Sequence, residues 1–235
     1  MTDAKGSGSP PKDVRHHFHD QMAALERSML GVAETAETMV GMAVEAVTTG
    51  NTVLADQVIA LDAQIDNTYQ AAHDQWIRLV ARQSPVASDL RMMSVLLHLN
   101  ITLERMGDQA VNIAKLTKVV DGLPRSEKIV EALREMGDLV RPMIRTAIHA
   151  LVRRDIDETR LLPAMDEPLD RLNRNMYREV VACGADEKLL EWATRMMMVS
   201  RALERIGDQS VDIGEQVAYL LTGELHEFND TGSAP

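Results

Sequence analysis

An eleven-residue stretch occurs twice in this chain and sets the plan for everything around it. Residues 103–113 read LERMGDQAVNI and residues 203–213 read LERIGDQSVDI, identical at eight of eleven positions and offset by 100 residues. Agreement of that length marks a duplication, so two similar halves are expected. Each copy carries an acid pair four residues apart, Glu104 with Asp108 and Glu204 with Asp208. On a helix that spacing stacks both carboxylates on one face, with Cβ atoms about 5–6 Å apart. Like charges so placed cost about 0.2–0.5 kcal/mol unless a cation answers them. A metal ion and a nearby Lys or Arg are the two candidate answers.

The sequence around both copies has the period of helices. From about Val14 to Thr49 apolar residues return at three- and four-residue steps, through Phe18, Met22, Leu25, Met29, Val32 and Ala36. Gly50-Asn51 is a stop signal, a second helix follows from Thr52 to Arg82, and Ser84-Pro85 breaks the chain again. Pro85 is tolerated at a helix start, so a third helix runs from there to about Val120 and carries the first copy. Asp121-Gly122-Leu123-Pro124 divides the halves. The second half repeats the plan from about Ser126 to Arg154, Ile156 to Ala182 and Asp186 to Thr222, broken at Asp155 and Gly184. The apolar content of 45% includes fifteen Met and only 3% aromatic residues, which suits helix-on-helix packing. The expectation is an all-α chain of six long helices in two tandem antiparallel three-helix bundles, residues 14–121 and 122–224. Residues 1–13, with GSGSPPKD, are expected to form a disordered tail, and 225–235 a loose C-terminal one.

Three prolines disturb this plan. Pro142 falls in the fourth helix, and Pro163 and Pro168 in the fifth, where a proline removes a hydrogen bond and kinks or breaks the axis. Pro168 lies between two acids discussed below, which places the second site behind the first.

Charge and composition exclude several functions. A net charge of −11 argues against nucleic acid or an anionic lipid surface as a direct partner. No apolar run approaches the roughly 18–20 residues of a membrane span, and no signal peptide opens the sequence. One cysteine, Cys183, forbids an intramolecular disulfide and fits a reducing compartment, so a cytoplasmic location is expected. With no neighbouring His or second Cys, it makes a poor nucleophile. The chain has no phosphate-cradling Gly-rich loop, no G-x-S-x-G and no Glu-x-x-His pair.

A second acid pair precedes each copy: Asp62 with Asp66, and Asp166 with Asp170. Adjacent antiparallel helices would bring four carboxylates together in each half. Mg²⁺, Mn²⁺ and Ca²⁺ favour such oxygen-rich sites, and iron or zinc also accept carboxylates. Asn112 and Asp212, four residues beyond Asp108 and Asp208, can extend them. The plainer alternative is a solvated acidic face partnered by Arg105 and Arg205. Gly107 and Gly207 point to close helix approach beside the acids, which is equally consistent with packing alone. His16, His17 and His19 could bind metal but, near a helix start and without matching carboxylates in sequence, read instead as exposed or loosely packed. Met196, Met197 and Met198 read as core plus an exposed neighbour, or as an adaptable docking surface.

SPVASDLR at 84–91, followed by LERMGDQAVNIA and then LERIGDQSVDIGEQVAYLLTGE at 203–224, resembles the PhoU family of phosphate-transport regulators. The opening RHHFHDQM is also similar, and the likeness spans about residues 15–224. It implies two three-helix bundles whose E(D)-x-x-x-D motifs hold metal ions, often as multinuclear clusters. Matched residue by residue, those motifs fall on Asp62, Asp66, Glu104 and Asp108, and on Asp166, Asp170, Glu204 and Asp208. Iron, zinc, manganese or magnesium would be the ions. The resemblance further implies a cytoplasmic, dimeric adaptor, not an enzyme. It would couple a phosphate ABC transporter, through its ATPase subunit, to a membrane sensor histidine kinase, and be recruited to the membrane through those partners. Phosphate-starvation genes would stay off when phosphate is plentiful. A metal-dependent hydrolase and a metal-storage bundle are the competing readings.

Overall fold

The computed structural model describes residues 12–83, 85, 87–224 and 227–228. Most of the two expected tails, 1–13 and 225–235, lies outside these residues. Among the described residues there are six long helices and one single-turn helix: α1 Lys12–Thr49, α2 Thr52–Gln83, α3 Ala87–Val119, α4 Glu127–Arg153, α5 Ile156–Thr159, α6 Leu162–Ala182 and α7 Glu187–Thr222. Helices α1, α2 and α3 pack on one another as one bundle, and α4, α6 and α7 as the other.

The breaks follow local chemistry. After α1 the chain turns at Gly50, whose φ of 72° is strained for any side chain, and Asn51 then accepts the Leu54 N–H through its Oδ1 at 3.0 Å. Asp186 caps α7 by accepting from the amides of Lys188 and Leu189. The fifth expected helix, 156–182, is divided. Asp155 caps only the short α5, and α6 restarts at Leu162 with Pro163 in its first turn, where a missing N–H costs nothing. Pro168 and Pro142, by contrast, lie inside α6 and α4 without ending either helix. Asp166 and Asp170 therefore share one helix.

The two bundles meet through α1 against α4 and α3 against α7, and one hydrophobic core runs through both. Its largest members include Trp192, Met29, Met39, Leu103, Met106 and Leu133, all essentially inaccessible. Each such side chain contributes about 1.5–3 kcal/mol by leaving water. At the α1–α4 contact Gly137 lets the backbones close up, since a Cβ there would lie 2.6 Å from Val44 Cγ1. Ion pairs tie the same seam: Arg145 to Glu37 at 2.6 Å and Arg154 to Glu26 at 2.8 Å. Among the described residues no helix is long and apolar enough to cross a membrane.

Candidate acidic clusters and the α3–α7 seam

In each bundle the duplicated stretch lies on the last helix, facing the helix that carries the other acid pair. Gly107 sets the α2–α3 distance in the first half: a Cβ there would meet Ile65 Cδ1 at 3.0 Å and Asp62 Oδ1 at 3.9 Å. Gly207 does the same more tightly for α6 and α7, with Leu169 Cδ2 at 2.4 Å and Asp166 Oδ1 at 2.7 Å from such a Cβ. The glycines beside the acids thus mark close helix approach.

Close approach puts the carboxylates in one another's field. Burial raises Glu104, and the charges of Asp108, Asp66 and Asp62 raise it further, against a lowering by Arg105. Asp62 is raised by burial, then by Asp66 and Asp108, and is lowered by Lys115. The second half is more strongly perturbed. Burial, then Asp170, Asp208 and Glu204, push Asp166 up to about 7. Glu204 is 6% exposed and raised chiefly by burial, with Asp208 next; Arg201 opposes both. Asp208 is raised by burial and Asp170.

The clusters differ in what answers their charge. Among the described residues none of Asp62, Asp66, Glu104 or Asp108 makes an ion pair. In the second half Arg201 bonds Glu204 and Arg174 bonds Asp170 at 3.0 Å. The duplicated frame has Ile101 and Gln70 where Arg201 and Arg174 stand, so these guanidiniums belong to one half alone. Arg201 is legible in the sequence as a cation three residues before Glu204, a spacing that lets the two side chains meet on one helix face. Asp166 Oδ1 and Glu204 Oε2 remain buried with no hydrogen-bond partner among the described residues. Two unsatisfied oxygens of this kind cost about 1–3 kcal/mol each and invite a cation or water. As the side chains lie, no three His, Cys, Asp or Glu among the described residues converge in metal-holding geometry. The donor chemistry is that of a hard-cation site, and the carboxylates would have to turn toward a common point to make one.

The remaining candidates lie elsewhere. Asn112 and Asp212 line two grooves along the α3–α7 seam; Asp212 is raised by burial and held down by His98 and Arg105. His16 and His17 are exposed, and His19 lies 3.3 Å from Asp89. Met196 is core, whereas Met197 and Met198 face outward on a groove. Cys183 is buried, its thiol raised by that burial and bonded to the Glu179 carbonyl. Phe228, beyond α7, packs back on the core and donates its N–H to Glu215 at 2.7 Å.

Comparison with known proteins gives a consistent picture. A family model described as the PhoU domain matches residues 29–117 and 133–217, once in each bundle. The phosphate-specific transport system accessory protein PhoU homolog of Clostridium acetobutylicum is 31% identical over 219 residues, covering 92% of this chain and all of that protein. The homolog of Pseudomonas aeruginosa is 29% identical over 89% of this chain and 87% of its own length. The crystal structure of PhoU from Pseudomonas aeruginosa superposes with a TM-score of 0.84 at 29% identity, covering 88% of this chain and all of that one. The phosphate transport system regulatory protein PhoU of Streptococcus pneumoniae gives 0.81 at 27%, over 89% and 99%.

Proposed function

This chain belongs to the PhoU family, and we propose that it is an accessory regulator of phosphate uptake that works by docking other proteins and not by catalysis. The observation that carries the reading is the family match recurring in each bundle, over most of a scaffold that the Clostridium acetobutylicum relative shares along its whole length. Its partners are the ATPase subunit of a phosphate ABC transporter and a sensor histidine kinase, and its effect is to hold the starvation response off in phosphate-rich cells. It acts in the cytoplasm, as a homodimer, and reaches the membrane through those partners.

The acid clusters hold divalent or transition cations, drawn from iron, zinc, manganese and magnesium, on Asp62, Asp66, Glu104 and Asp108 and on Asp166, Asp170, Glu204 and Asp208. Support comes from the uncapped carboxylates of the first cluster and the orphaned Asp166 and Glu204 oxygens of the second. A bound cation would supply the positive charge that lets these neighbours all ionise. Native purification from phosphate-replete cells tests the docking claim. The transporter ATPase is expected to elute with the chain, and its absence from an otherwise intact transporter extract would contradict the proposal.

A further inference from the structure

The two grooves along the α3–α7 seam are duplicates of each other. One, of about 310 Å³, is lined by α3 at His98, Ile101 and Arg105 and by α7 at Asp212, Glu215 and Gln216. The other, of about 740 Å³, is lined by α7 at Met198, Arg201 and Arg205 and by α3 at Asn112, Lys115 and Leu116. Each residue of one set is displaced by 100 positions from its counterpart in the other. An exchange of helices with the halves is what a two-fold relation between them produces.

Common descent makes the divergence informative. The acids Asp212 and Glu215 of the smaller groove stand where the larger has Asn112 and Lys115, and Ile101 stands where it has Arg201. Among the described residues the larger groove therefore gathers Lys115, Arg201 and Arg205 with no acid on its lining, on a chain whose net charge is −11. Arg201 is shared with Glu204, whereas Lys115 and Arg205 make no ion pair among the described residues and act only at longer range, Lys115 on Asp62 and Arg205 on Glu204 and Asp208. Between the cations the surface is apolar and adaptable. Met197 and Met198 are 37% and 57% exposed, and Leu116 and Ala202 complete the wall. Exposed Met fits varied side chains, and Met and Arg are each enriched at protein interfaces. Amides from Gln109, Asn112 and Asn173 add hydrogen-bonding capacity at the edge.

We propose that the larger groove docks an acidic amphipathic helical segment of a partner protein, its apolar side on Met197 and Met198 and its carboxylates on Lys115, Arg201 and Arg205. The inference deepens the docking reading above and rests on it. A small anion would use the cations and leave the methionines idle. An apolar helix would cover Lys115 and Arg205 without giving either the close carboxylate that it lacks among the described residues. An acidic amphipathic helix uses both, in the manner of helix-in-groove recognition. The smaller groove, with its own acids and less than half the volume, is unsuited to the same occupant.

The probe is a labelled peptide of about five helical turns, Leu on one face and Glu on the other, titrated into the full chain by fluorescence anisotropy. The Glu peptide is expected to bind, and its Lys-substituted counterpart is not. Lys115→Glu and the double variant Met197→Gln with Met198→Gln should each weaken binding about tenfold, while Gln216→Glu in the other groove leaves it unchanged. All four positions lie at least partly in solvent, and circular dichroism verifies folding. Equal binding of both peptides, or indifference to Lys115→Glu, would overturn the proposal. So would a Leu-to-Ser peptide that binds as well and is displaced by tripolyphosphate, which would make the groove an anion site. Loss of a dimer in Lys115→Glu by sedimentation would instead assign the groove to a second copy. Failure of these tests with transporter co-purification intact removes the groove assignment alone.

Discussion

Asp166 Oδ1 occupies space 2.7 Å from where a Cβ on Gly207 would sit, so the acid of one helix fills the gap left by the glycine of the next. Leu169 Cδ2 crowds the same point at 2.4 Å. Gly207→Ala would gain about 1 kcal/mol of helix propensity and lose more to overpacking. A net loss of about 1–2 kcal/mol is expected from urea denaturation. Gly107→Ala is crowded only by the tip of Ile65 at 3.0 Å, its other neighbours lying at ordinary contact distance, and should be close to neutral. Equal effects at the two positions would show that the halves pack alike, contrary to the geometry.

Asp166 also gives the fold a pH dependence. Its carboxyl titrates near 7 in the folded chain, against an ordinary value of 3.8. Between those values the native state holds a proton that the unfolded state has released. Stability is therefore greatest below about pH 4 as far as this group is concerned, and falls as pH rises through 7. Asp62, Glu104, Glu204 and Asp208 are raised and contribute with the same sign. Asp166→Asn is expected to flatten the decline in melting temperature between pH 5 and pH 8, readings chosen to bracket the shifted carboxyl. A decline as steep as that of the parent chain would place the pH dependence elsewhere.

Cation binding should be stronger at the first cluster. Arg201 and Arg174 must be displaced from Glu204 and Asp170, and Asp166 must lose its proton, before the second cluster can offer its oxygens. The first needs neither displacement. Elemental analysis of metal-loaded protein is expected to show a larger loss in Glu104→Ala with Asp108→Ala than in Glu204→Ala with Asp208→Ala. The reverse order would mean that the buried, unsatisfied oxygens of the second cluster outweigh the cost of freeing it.

Arg125 joins the connection between the halves to the end of α1, donating to the carbonyls of Val47 at 2.9 Å and Thr48 at 2.6 Å and lying 6.0 Å from the Trp192 ring. These are unsatisfied C-terminal carbonyls, where a cation is favoured. Arg125→Ala should cost about 1–3 kcal/mol in chemical denaturation, through lost charge-assisted bonds. A change within experimental error would show that water replaces the guanidinium freely.

The sequence made the helices and their duplication legible because period, Gly and Pro signals agree along most of its length. It also indicated which helices carry the acids. The division of 156–182 is harder to read, since Asp155 caps a start at Ile156 whether or not the helix continues, and Pro163 fits both a helix interior and the first turn of α6. The fate of Pro168 was likewise settled by neighbours that hold α6 together, beyond the reach of propensity. The pairing of Arg201 with Glu204 lay in plain view at a three-residue step. The orphaned oxygens and the twin grooves depend on how α3 crosses α7, and no local pattern encodes that crossing.

The regulatory reading is tested most directly in cells, by deleting the gene and measuring a phosphate-starvation reporter in phosphate-rich medium. The account predicts that the reporter turns on and that the intact gene restores silence. A reporter that stays off after deletion, in cells that still respond normally to starvation, would contradict it.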